Sequence, residues 1–197
     1  MKIVTVPHPA LREPAQPIIT VDKKLLKFVE ELQRTLDKKK NPPGVGLAAP
    51  QVATNMRIFT TKLAPFTEED DYNPRDLNLA EIRYYINPQV IDHSSELVLG
   101  VDEEEPDLEG CLSIPGIYGP VPRWEWIEVE YQQVQEQELI THRERFADFY
   151  ARVVQHEIDH LDGILFTDYL KKYDLPVYQT DRRDNLVEID PRIIEIF

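Results

Sequence analysis

Gln155-His156-Glu157-Ile158-Asp159-His160-Leu161-Asp162-Gly163 is the stretch from which the rest of the chain can be read. Two histidines four apart on a helix lie one above the other on the same face. Both imidazoles can therefore reach one metal ion. Glu157 is turned about 100° round the helix from His156, which sets its carboxylate beside a metal-bound water rather than on the metal. A metal lowers the pKa of such a water toward neutrality, and a nearby Glu can take and return the proton. The same residues also fit a structural helix without a metal, so the surrounding sequence has to decide.

Upstream of the motif, Phe146, Phe149, Tyr150, Val153, Val154, Ile158 and Leu161 supply the apolar positions of a helix starting near Glu144, and Gly163 is its natural stop. Trp126, Ile127, Val129 and Tyr131 predict a strand that pairs with Glu138–His142. Ile82–Ile86 and Val90–Leu99 read as two strands broken at Asn87-Pro88, and Met56–Thr61 as another. Residues 62–80, with Pro65 and Pro74, read as a long surface loop. Leu25, Phe28, Val29, Leu32 and Leu36 mark one face of a helix that begins near Thr20–Asp22 and ends at Lys38-Lys39-Lys40, with Asn41-Pro42-Pro43-Gly44 as the stop. Pro7, Pro9, Pro14 and Pro17 make the first 20 residues an extended arm rather than a helix. Beyond Tyr169-Leu170 the tail reads as extended, with a late strand over Asn185–Asp190. The expected fold is α+β, one domain over 1–197, with antiparallel strands around a long metal-binding helix and an extended C-terminal tail.

Two short segments remain, Gly44-Val45-Gly46-Leu47-Ala48-Ala49-Pro50-Gln51 and Glu109-Gly110-Cys111-Leu112-Ser113. The first is glycine-rich but has no Gly-Lys-Ser/Thr and no G-x-G-x-x-G, which argues against a nucleotide loop. Its small residues instead let a ligand approach the backbone closely. The second holds the single cysteine of the chain. No intramolecular disulfide is possible, which fits a reducing, cytoplasmic compartment.

With 197 residues, 42% hydrophobic and 29% charged, the chain is long enough for a sizeable core and ordinary for a soluble globular protein. No apolar run is long enough to span a membrane. The opening Met-Lys-Ile-Val-Thr-Val-Pro has no apolar signal core and is not rich in Arg and Ser, which argues against a targeting peptide. Organelle import stays open if such a peptide has been removed. A formal net charge of −14 argues against direct nucleic-acid binding. Its acidic runs, Glu68-Glu69-Asp70-Asp71 and Asp102-Glu103-Glu104-Glu105, read as solvated loops.

The three segments 44–51, 109–113 and 155–163, in that order, resemble the signature motifs of peptide deformylases. Pro7-His8-Pro9-Ala10-Leu11-Arg12 and Val121-Pro122-Arg123 also look like that family, and the likeness runs to about Leu170. The resemblance implies a metal-dependent hydrolase that removes the formyl group from the N-formylmethionine of newly made polypeptides, with a transient ribosome contact. It implies Cys111, His156 and His160 as metal ligands, and a thiolate with two imidazoles leaves a fourth position open. It implies Glu157 as general base and then acid, with the Gln51 side-chain amide and the Leu112 backbone N–H as oxyanion donors. The backbone at Val45 and Gly46 is expected to pair with the substrate. Phe149, seven residues before His156 on the same face, is expected to wall the methionine side chain, with the stem of Arg152 beside it and its head toward solvent or an acid. The resemblance favours Fe2+ in the cell, with Zn2+, Ni2+ or Co2+ as purified forms. Asp159 is read either as a carboxylate orienting a neighbour or as a plain surface group.

Two other readings use the same residues. A zinc endopeptidase of the H-E-x-x-H type needs a third ligand downstream, where no histidine follows His160 although Glu188 and Glu195 remain. An inactive ribosome-associated binding protein is the non-enzyme alternative. Residues 62–80 look like an insertion relative to compact bacterial members, and the tail beyond Leu170 lacks the basic helical end of some of them.

Overall fold

The computed structural model describes residues 1–40, 43–64, 76, 79–100, 106–181, 183 and 185–197. In chain order they form α1 (Lys23–Asp37), β1 (Gly46–Ala48), β2 (Ile58–Leu63), β3 (Glu81–His93), β4 (Leu97–Val98), β5 (Leu108–Cys111), β6 (Ile114–Pro120), β7 (Arg123–Trp124), β8 (Trp126–Gln135), β9 (Glu138–Ala147), α2 (Asp148–Leu161), α3 (Phe166–Tyr173), β10 (Val177–Thr180) and β11 (Leu186–Ile189). Every pairing among these strands is antiparallel. One sheet runs β1-β2-β3-β8-β9, a second β11-β10-β6-β5, and β4 pairs with β7.

The α2 helix carries the His-Glu-x-x-His motif. Its residues Ala151, Val154, Ile158 and Leu161 repeat at helical spacing and pack with Phe59, Tyr85, Ile127, Val129 and Phe146 of the five-stranded sheet. A separate cluster of Ile114, Ile117, Leu165, Phe166 and Leu170 lies under the four-stranded sheet. The histidines therefore sit between two cores. The α1 helix follows its periodicity, burying Leu25, Val29, Leu32 and Leu36, and Asp22 caps it by accepting from the Leu25 N–H at 2.7 Å.

Four expectations need correction. Asn87-Pro88 does not break the strand, because β3 runs through it. Asn87 takes a φ of +50°, the register shifts between Ile86 and Gln89, and Pro88 falls in this bulge, where no ladder N–H is required. The Asn87 side chain holds the bulge by bonding both the N–H and the carbonyl of Ile18, at 2.8 and 2.6 Å. The second expected strand ends at His93, and Leu97–Val98 pairs elsewhere. The motif helix starts at Asp148 rather than Glu144, since Phe146 belongs to β9 and sits opposite Ile127. Its fit to the helical spacing is a coincidence of two periods meeting at one buried residue. The tail is not extended directly after Leu170, because α3 runs on to Tyr173, and its burial of Phe166 and Leu170 outweighs its short length.

The late strand is present as β11, the strand expected at Met56–Thr61 is β2, and the N-terminal arm contains a 3-10 turn at Pro9–Leu11. Lys62 and Leu63 belong to β2, while most of the expected 62–80 loop, both acidic runs and residues 41 and 42 lie outside the described residues. No helix among the described residues is long and apolar enough to cross a membrane.

Candidate metal centre

In a strand, residues two apart share a face, so β5 points Glu109 and Cys111 to the same side. That side meets α2. Cys111 Sγ lies 3.1 Å from His160 Nε2, and the donor atoms of Cys111, His156 and His160 all lie within 4.8 Å of one another. The His156 Nδ1 bonds Glu109 Oε2 at 2.9 Å, which leaves its other nitrogen for an ion. Burial pushes His160 well below its ordinary pKa, which favours the neutral ring, the form in which an imidazole can bind a metal. Burial also opposes a charge on His156, but bonds to Cys111 and Glu109 outweigh it and hold that ring up. A cation bound there takes the place of the proton. One sulfur and two imidazoles in this arrangement fit a single divalent ion of the zinc or ferrous type.

Behind the donors lies a buried charge network. Arg123 holds Glu109 with two bonds, Nε–Oε1 at 2.8 Å and Nη2–Oε2 at 2.9 Å, and reaches Asp159 at 2.5 Å. The Tyr169 hydroxyl donates to Asp159 at 3.2 Å, and the Arg123 guanidinium sits 4.8 Å from the Tyr169 ring centre. Burial raises the Glu109 carboxyl, but Arg123 and His156 overcome this and hold it far below the usual carboxylate range. Glu109 is thus a fixed anion that orients His156. Asp159, read from sequence either as an orienting carboxylate or as a surface group, is turned inward onto Arg123. The Arg152 head also finds acid rather than solvent, with Glu109 at 3.2 Å and the Val121 carbonyl at 2.6 Å. Sequence reading assigned no role to Glu109 or Arg123. The two-residue spacing from Glu109 to Cys111 was the signal that could have found the first.

Glu157 is buried, and its Oε2 has no hydrogen-bond partner among the described residues. Burial pushes its carboxyl up to about 7. It lies directly against Gly46, where any Cβ would collide with the carboxylate, so only glycine permits this approach. Gln51 is 1% exposed, so its side-chain amide is held inside the protein. Its Oε1 accepts the Ala48 N–H at 2.8 Å, and its Nε2 faces Cys111 Sγ at 3.4 Å and Ser113 Oγ at 3.3 Å. Leu112 lies in the turn between β5 and β6. Strands β1 and β5 are edge strands of their sheets, and a cleft of about 490 Å³ runs between them. Val45 and Gly46 line one side, Gly110 and Leu112 the other, and half-buried Phe149 lies on its wall.

The family model described as polypeptide deformylase matches residues 1–175. A peptide deformylase of Chlorobaculum parvum is 36% identical over 174 residues, covering 88% of this chain and 81% of that one. The crystal structure of a probable peptide deformylase from synechococcus phage S-SSM7 superposes with a TM-score of 0.67 at 32% identity, covering 85% of this chain and 98% of that one. A class I type b peptide deformylase from Acinetobacter baumannii, solved with Met-Ala-Ser bound, gives a TM-score of 0.67 at 30% identity over 86% of this chain and 97% of that one. With the match running through all three motifs, this chain belongs to the peptide deformylase family, metal-dependent hydrolases that remove the N-formyl group from newly made polypeptides.

Proposed function

We propose that residues 1–197 form one catalytic domain in which Cys111, His156 and His160 hold one divalent ion, Fe2+ in the cell, and Glu157 moves the proton of the hydrolysis. The observation that carries this reading is the buried Glu157 carboxylate, its Oε2 without a hydrogen-bond partner among the described residues, beside a Cys/His/His donor set at the edge of a cleft. The bound ion supplies Lewis-acid polarisation and an activated water. With a pKa near neutrality, Glu157 can accept a proton from the attacking water and return it to the amine as the C–N bond breaks, releasing formate and a free N-terminus. Gln51 Nε2, its orientation locked through Ala48, and the Leu112 N–H supply the donors for the developing oxyanion. The substrate backbone adds as a strand between the free edges of β1 and β5, pairing at Val45 and Gly46, with the methionine side chain against Phe149. The Met-Ala-Ser held by the Acinetobacter baumannii relative is the peptide class that this cleft suits. We place the protein in the cytoplasm, meeting its substrates by brief contact at the ribosome and not by binding nucleic acid.

The test is formate release from a formyl-Met peptide by the metal-loaded protein, beside cleavage of an internal peptide bond. Formate release with no internal cleavage is expected, and the reverse would make the protein an endopeptidase. For the metal, preparations made with and without oxygen are compared. Loss of activity in air is expected from oxidation of the iron or the thiolate. Full, air-stable activity with zinc alone in both samples overturns the iron assignment.

A further inference from the structure

At the far end of the cleft stands Lys39, half-buried just past the C-terminus of α1. It also lines the neighbouring groove formed by Arg34, Lys38 and Glu31. Besides Lys39, only the charged side chains of Lys38 in the groove and Glu157 at the opposite end of the cleft have no ion pair among the described residues. Arg34 pairs with Glu30, Glu31 with Lys27, and Arg152 with Glu109. No carboxylate among the described residues pairs with Lys39. The acid nearest in sequence, Asp37, is taken by Lys62 at 2.7 Å.

Position along the cleft gives this cation a meaning. Gly46 touches Glu157, and Gly44 lies next to Lys39, with an ideal Cβ on Gly44 falling 3.6 Å from Lys39 Cβ. The segment from Gly46 back to Pro43 thus leads from the catalytic carboxylate to the lysine. A substrate whose formyl end lies at Glu157 runs antiparallel to this segment, at about 3.4 Å per residue. Its formyl-Met falls beside Gly46 and Val45, and about its third or fourth residue comes within reach of the Lys39 ammonium. On a chain of net charge −14, an acidic peptide is otherwise repelled.

We infer that Lys39 is a specificity determinant that favours formylated peptides with acidic side chains two or three residues after the formylmethionine. This rests on the deformylase reading of the cleft and adds a substrate class to it. A partly exposed ion pair gives a preference of about two- to fivefold, weakened by salt. It acts on binding and so appears in KM rather than kcat, because Lys39 lies far from the reacting bond.

The experiment compares kcat/KM of the metal-loaded protein for C-terminally amidated formyl-Met-Ala-Ala-Ala, formyl-Met-Ala-Glu-Glu and formyl-Met-Ala-Lys-Lys at low and high salt. The wild type is expected to prefer the glutamate peptide, Lys39→Ala to lose the preference, and Lys39→Glu to turn it toward the lysine peptide. Lys24→Ala makes the same change in net charge about 22 Å away along α1 and is expected to keep the wild-type ratio. Equal rates on the three peptides by the wild type, or a preference that survives in Lys39→Ala, overturn the role of Lys39 while deformylation itself stands. No formate from any peptide overturns the deformylase reading and this inference with it.

Discussion

Two clusters in this protein are built from the same parts. Arg123 bonds Glu109 and Asp159, Tyr169 donates to Asp159, and the guanidinium lies over a tyrosine ring. Arg83 likewise bonds Glu144 and the Tyr131 hydroxyl and lies 5.4 Å from the Tyr85 ring centre. They differ in depth and in what they touch. The first pair has side-chain exposures of 3% and 6% and ends on His156 Nδ1. The second has 28% and 34% and ties β3 to β9 across β8, away from the metal donors. A buried charge is costly to leave unpaired, so the first cluster is held to few arrangements, and it fixes the ring of His156, the proposed metal ligand. Water competes for the second, which serves as a cross-strand clasp. Like chemistry at unlike depth thus yields a positioning device in one place and modest stabilisation in the other.

The largest effect expected comes from the donors that the first cluster steadies. Cys111→Ala should lose bound metal and with it activity. Glu157→Ala should keep the metal and lose about 10²- to 10⁴-fold in kcat, because only proton transfer is removed. Metal analysis beside the assay separates them. If Glu157→Ala emptied the site as fully as Cys111→Ala, Glu157 would be a ligand.

Next, Arg123→Leu leaves Glu109 and Asp159 buried without their cation, which should cost about 3–5 kcal/mol in urea unfolding. It should also weaken metal affinity about 10- to 100-fold, measured by chelator competition. Arg83→Leu should cost about 1 kcal/mol and leave metal affinity alone. Equal effects of the two on metal affinity would erase the distinction between the clusters.

Phe149 lies in α2 three residues before Arg152, half-buried on the wall of the cleft. Phe149→Ala, shown to be folded and metal-loaded, should lower kcat/KM for formyl-Met peptides more than for formyl-Ala peptides, by about 1–3 kcal/mol. An equal loss on both would make Phe149 a support of the helix rather than a wall of the pocket.

The smallest effect concerns pH. Burial raises the Glu144 carboxyl, but bonds from Arg83 and Tyr131 outweigh it and hold it below its ordinary value of 4.5. A carboxylate with a lowered folded pKa contributes stability above its unfolded value and loses it as pH falls through the folded one. The stability difference between wild type and Glu144→Gln should therefore be constant near neutrality and shrink below pH 4.5. A difference independent of pH would show that the clasp works by packing.

What could be read from sequence was what neighbouring residues decide. The i, i+4 spacing placed His156 and His160 on one face, Gly163 with its φ of +74° ended the turn after α2, and Asp22 capped α1. The three motifs, taken as a resemblance, pointed to the family. Elements failed where local signals met a longer-range demand. Phe146 fits a helical period yet is fixed in β9 by its place opposite Ile127, and Pro88 stays within β3 because Asn87 is pinned by Ile18 of the distant arm. The network behind His156 was decided by the tertiary structure alone. Its bonds join residues 14, 36 and 47 positions apart. Periodicity orders residues within one element, whereas a buried ion pair forms only where packing brings separate elements together and excludes the water that would otherwise solvate each charge.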